Sequence, residues 1–101
     1  MRQGTTPTHT FTDIPFSAKE IAKVRITYAQ RGKIVVEKTE EDCKFDGNTI
    51  IVKLSQEETL KFDENAFLKI QAKILTTDGE SHVSDEVTLT VSEALNKEVL
   101  I

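Results

Sequence analysis

The sequence predicts an all-β domain, an antiparallel two-layer β-sandwich of six or seven strands with one short helical turn near 55–61. Three observations predict it. Phe67 to Thr77 reads as a strand, with Leu68, Ile70, Ala72 and Ile74 on one face and Lys69, Gln71 and Lys73 on the other. That period of two belongs to a strand with one face in a core and one in water. Other short alternating runs are separated by turn residues, and almost no stretch carries a helical period.

The 101 residues make one domain, 1–101, with an extended arm over 1–8 and a tail over 95–101. A chain of this length hides roughly two thirds of its unfolded surface and needs no staples. The hydrophobic share of 38% and charged share of 30% are those of a globular protein. The net charge of −4 argues against a nucleic-acid partner, which demands a concentrated basic patch. Cys43 is the single cysteine, so the fold cannot rest on an internal disulfide. No apolar run approaches the roughly 20 residues that span a bilayer, so no membrane partner is expected. Met1 to Thr5 lacks the hydrophobic region of a signal peptide, which predicts a protein that stays in the cell that makes it until released.

Thr5 to Thr12 is threonine-rich and extended, and Pro7 confines it to an edge strand or a lead-in. Asp13 to Ser17 is a turn, because Pro15 pushes Ile14 away from helical geometry. Ser17 and Glu20 have capping-box spacing, but the period changes too soon for more than one turn. Val24, Ile26 and Tyr28 then face inward on a second strand. Gly32 supplies positive φ in a hairpin connection, and Ile34 to Lys38 returns antiparallel. Thr39 to Asp42 is a polar link, and Cys43 to Phe45 is short and extended. Asp46-Gly47-Asn48 is a tight turn, followed by a strand with Ile50, Val52 and Leu54 inward. Ser55 and Glu58 form a capping box for the helical turn, a crossover with Leu60 and Phe62 plugging one end of the core. Asp63 to Asn65 leads into the organising strand. Asp78-Gly79 makes another hairpin turn. A final strand, beginning as early as Ser81, carries Val87, Leu89 and Val91 inward.

Candidate chemistry is sparse. His82, Ser84 and Asp85 are the residue types of a triad, but in a strand Asp85 points away from the other two, so a polar strand start is the plainer reading. His9 and His82 share a metal only if their strands pair, and two exposed histidines are favoured. Glu40-Glu41-Asp42, and Asp63-Glu64-Asn65 with Asp78, lack the converging spacing of a Ca²⁺ loop. Cys43 beside Phe45 reads as a buried structural thiol. Arg25, Arg31, Lys33 and Lys38 make a basic hairpin face, interrupted by Glu37 and without aromatics to stack bases. No catalytic group, cofactor site or metal site is expected. The ends of the chain remain as candidate assembly contacts, with Thr6, Thr8 and Thr10 on the arm and Val99, Leu100 and Ile101 on the tail. Packing of both ends on the parent domain is the rival reading.

Three stretches resemble a known family. Met1 to Phe11 resembles the opening of phage tail and baseplate proteins from prophages of Gram-positive bacteria. Leu54 to Phe62 is similar to a mid-domain segment there, and Ile70-Gln71 with Thr76-Thr77-Asp78-Gly79 resembles the strand and turn that follow. The family is the N-terminal domain of baseplate upper proteins and related small tail proteins. Its longer members continue past the place of Ile101 into a stalk or receptor-binding part. The resemblance implies an immunoglobulin-like sandwich that attaches one tail component to another. It implies a homo-oligomer bound to other tail or baseplate proteins, assembled in the host cytoplasm and carried in the virion. It implies no enzyme activity and no cofactor. The rival function is a small ligand- or carbohydrate-binding β-sandwich module, which the absence of Trp and the inward placement of Tyr28 disfavour.

Overall fold

The computed structural model describes all of residues 1–101. Eight strands form two antiparallel sheets, β1 Thr8–Phe11, β2 Ile21–Gln30, β3 Lys33–Thr39, β4 Cys43–Asp46, β5 Thr49–Lys53, β6 Leu68–Thr76, β7 Ser81–Val83 and β8 Val87–Leu89. A single α-helix, α1 Gln56–Leu60, carries the chain from one sheet to the other, with Ser55 and Glu58 closing both bonds of its capping box. The small sheet has the order β1-β5-β4 and the large one β3-β2-β6-β7, with β8 also on β6. This is the strand order of an immunoglobulin-like sandwich, B-E-D facing C′-C-F-G, with the place of strand A empty.

β6 is the organising strand that the alternation predicts. It pairs with β2 over almost its whole length and carries β7 and β8 on its other side. Leu68, Ile70, Ala72 and Ile74 are buried with Val24, Ile26 and Tyr28 of β2, and Ile50, Val52, Leu54 and Phe62 fill the space to the small sheet. Leu60 is only half-buried, and the helical residue that enters the core is Thr59. Its hydroxyl is satisfied by the Thr5 and Gln56 carbonyls, at 2.8 and 3.2 Å. The hairpin at Gln30–Lys33 turns through two positive-φ residues, Arg31 as well as Gly32. That is the mirror-image turn whose twist suits a two-residue connection.

Three expectations need correction. The strand count is eight, because the last predicted strand is broken into β7 and β8. Ser84 sits in the break and exchanges bonds with Ala72, its N–H donating to the Ala72 carbonyl and its Oγ accepting the Ala72 N–H, each at 2.9 Å. Val87 is consequently half-exposed, and only Val91 is fully inward. The polar link at 39–42 is a 3₁₀ turn, Glu40–Asp42, with Thr39 and Asp42 closing its own capping box.

Residues 1–3 are not a free arm. Arg2 pairs parallel with Ser92, and the N-terminal ammonium donates to the Thr90 carbonyl at 3.0 Å. Gln3 is buried, and its amide nitrogen donates to the Phe62 carbonyl at 2.6 Å while its oxygen accepts from Ala94 N–H at 3.2 Å. The chain therefore crosses to the large sheet before it enters β1, which leaves one side of β1 uncovered.

Candidate functional site

The residues that invited a catalytic reading are occupied structurally. His82 Nε2 lies 3.4 Å from Glu80, and its ring packs on Phe16 with centroids 4.6 Å apart. Ser84 uses its hydroxyl on backbone, accepting from Ala72 and donating to the Asp85 carbonyl at 3.1 Å. Nucleophile, base and orienter do not line up.

His9 and His82 lie in different sheets, so their strands do not pair. His9 is also not the exposed residue expected. It is half-buried, with Nδ1 2.7 Å from the Tyr28 hydroxyl. Burial lowers its pKa, helped by the N-terminal ammonium, and burial pushes the Tyr28 phenol up strongly. This pair ties the inner face of β1 to the centre of β2.

The basic hairpin face is largely neutralised. Arg25 pairs with Glu40 at 2.8 Å, Arg31 with Asp63 at 2.5 Å and Lys38 with Glu58 at 2.7 Å. The acidic runs serve the same local ends. Glu40 accepts from Val24 N–H at 3.1 Å, and that bond, ahead of the Arg25 contact, holds its carboxyl below the usual range. Asp63 is lowered first by Asn65 N–H and then by Arg31. Asp78 is lowered by the Thr76 hydroxyl. No three His, Cys, Asp or Glu side chains converge on a point that could hold a metal. Cys43 is half-buried and not fully so, its Sγ donating to the Thr39 carbonyl at 3.2 Å, and burial raises its pKa. A thiol so placed is a poor nucleophile.

The predicted assembly contacts fall into two groups. Thr6, Val99, Leu100 and Ile101 line one cleft of about 470 Å³ beside α1. The Gln56 amide holds the tail there, donating to the Leu100 carbonyl at 2.8 Å and accepting from Leu100 N–H at 3.0 Å. Leu100 is still 66% exposed, and Leu95 is 97% exposed. Thr8 and Thr10 lie elsewhere, on the exposed face of β1 at the edge of the small sheet.

Sequence reasoning missed three glutamines. Gln30 is buried and holds the 63–66 loop, donating to the Asp63 and Ala66 carbonyls and accepting from Asp63 N–H. Its place in the inward series Val24, Ile26, Tyr28 was the available signal. Gln3 and Gln56 join segments distant in sequence and carried no local mark. Also unforeseen is Phe67, 65% exposed above a shallow hollow lined by Thr27, Ala29, Gln71 and Glu86. No helix is long and apolar enough to cross a membrane. Compared with known proteins, the chain matches no family model, no curated sequence and no solved structure.

Proposed function

We propose that this chain is a structural adaptor of a phage or prophage tail baseplate, a homo-oligomer that joins other tail components through protein–protein contacts. The observation that carries the reading is the tail. It is fixed in place by the Gln56 amide, yet it holds Leu95 and Leu100 out to solvent. Exposed apolar groups on an anchored segment are what an interface core is made from. The resemblance of Met1 to Phe11 and of Leu54 to Phe62 to baseplate proteins supplies the setting. Mass spectrometry of particles purified after prophage induction tests it, and the chain should be present there in stoichiometric amount. Its absence from intact particles would overturn the proposal.

One observation favours the second reading, a small ligand- or carbohydrate-binding module. Phe67 offers an exposed ring beside the polar side chains of Gln71 and Glu86, as a sugar platform would. A glycan array that shows hits lost on Phe67→Ala would favour this reading over the adaptor.

A further inference from the structure

We propose that the open edge of β1 seats a second copy of this chain. The two β1 strands would pair antiparallel and join two three-stranded sheets into one six-stranded sheet. The inference rests on the assembly reading above and names its partner and its surface.

The backbone makes the case first. Leu54 N–H donates to the Pro7 carbonyl at 3.0 Å, which marks Pro7 and Leu54 as a hydrogen-bonded pair. In an antiparallel ladder such pairs recur every second residue. His9 and Phe11 therefore turn their backbone groups toward β5, opposite Val52 and Ile50. Thr8 and Thr10 turn theirs to the open side, and extended backbone would do the same for Thr12. β1 pairs only with β5, so those groups have no strand beside them. This is the place strand A fills in the immunoglobulin order.

The other edges are protected and β1 is not. β3 carries Lys33, Glu37 and Lys38, and its ladder with β2 shifts register between Tyr28 and Ala29. β4 carries Lys44 and Asp46. The β7–β8 edge is interrupted at Ser84. Charges, bulges and breaks are the means by which sheets stop further pairing. β1 reads Thr-His-Thr-Phe, with an unbroken register and no proline inside it.

Self-complementarity selects a second copy as the occupant. A twofold axis at Thr10 sets Thr10 against Thr10, Thr8 against Thr12 and His9 against Phe11. Threonine pairs and aromatic pairs are favourable across strands, and no lysine or carboxylate meets its own kind. For a chain of net charge −4, this uncharged seam lets two copies approach without setting like charges side by side.

Light scattering on the full chain across a dilution series tests the inference. A concentration-dependent dimer is expected. Thr10→Pro and Thr10→Lys should each weaken it by about tenfold or more, because one removes the donor at the axis and the other sets ammonium against ammonium. The Thr10 N–H turns to the open side and makes no bond to β5, so the melting curve of each variant at low concentration should stay in place. Register is read independently in a Cys43→Ser background. Thr10→Cys chains should cross-link on mild oxidation, since Cα atoms of a bonded pair lie about 5.5 Å apart. Thr8→Cys chains should not. A chain monomeric at every concentration, or a dimer indifferent to both Thr10 variants, overturns the inference. A monomer that still enters purified particles sinks the β1 seam and leaves the adaptor reading standing. A β1 dimer absent from particles upholds the seam and sinks the adaptor.

Discussion

β3 and β1 are both outermost strands, and they are finished in different ways. β3 has a register shift, alternating charges and a brace, since Lys38 is tied to Glu58 of α1 at 2.7 Å. β1 has none of these on its open side. It is held from within, by the ladder to β5 and by His9 against Tyr28. The contrast teaches that an edge is closed by the chemistry of its own residues, and that an uncharged, regular edge is left available. The edges of the large sheet and the β4 edge of the small one are closed by their own residues, and β1 carries no such closure.

The brace gives the sharpest way to test the closed side. The Lys38 and Glu58 side chains are only 13% and 21% exposed, so their pairing is screened little by solvent. Glu58 also accepts from Ser55 N–H at 2.8 Å as half of the capping box. Glu58→Ala removes the carboxylate half of the box, a charge-assisted bond to Ser55 N–H worth about 1 kcal/mol, and strands a mostly buried ammonium, worth about 1–2 kcal/mol more. Urea unfolding should show a loss of roughly 2–3 kcal/mol. A loss below about 0.5 kcal/mol would mean that β3 does not depend on α1.

The inner tie of β1 should matter less. Tyr28→Phe keeps the buried ring and its contact with Phe62, with centroids 5.9 Å apart, and deletes only the hydroxyl that meets His9. The expected cost is about 1 kcal/mol. Amide exchange should quicken along β1 more than along β3. Uniform quickening would show that the pair supports the whole core and not this strand.

Acid offers a graded version of the same test. The His9 pKa is lowered in the folded chain, mainly by burial. The unfolded chain then binds the proton first as pH falls below about 6.5, and stability declines from there to the folded pKa. Stability attached to the lowered carboxylates Glu40, Glu58, Asp63 and Asp78 is lost only at lower pH, below their ordinary values. Melting temperature should therefore sag as pH falls below about 6.5, before the carboxylates are reached, and His9→Gln should flatten that decline. An unchanged slope in the variant would move the effect to another group.

How much of this could be read in advance follows from physical range. β2, β5 and β6 were legible because each buries one face, so Val24, Ile50 and Ile70 fall into step with their neighbours. The capping box at Ser55 was legible because its partners lie three residues apart. The break at Ser84 was not, since a serine in a polar run carries no sign that its hydroxyl will stand in for a strand partner. Gln3 was not, because its partners Phe62 and Ala94 are set by tertiary placement alone. Of the proposed contacts, the threonines of β1 were visible as an edge from Pro7, but their open side depends on residues 1–3 crossing to Ser92.

The smallest expected effect isolates the comparison best. Thr8→Lys changes an exposed side chain on a strand whose outward backbone groups have no partner in the monomer. Placed at low concentration, the variant should differ from the parent by less than about 0.5 kcal/mol, as surface changes do. At high concentration the parent should gain more stability than the variant, because association favours the folded chain and a lysine on the seam weakens it. The two unfolding curves should then separate as protein concentration rises and converge on dilution. Curves that stay together at every concentration would place Thr8 outside any interface. Curves that stay apart even when dilute would show that this threonine supports its own fold, and β1 would then be an edge closed from within.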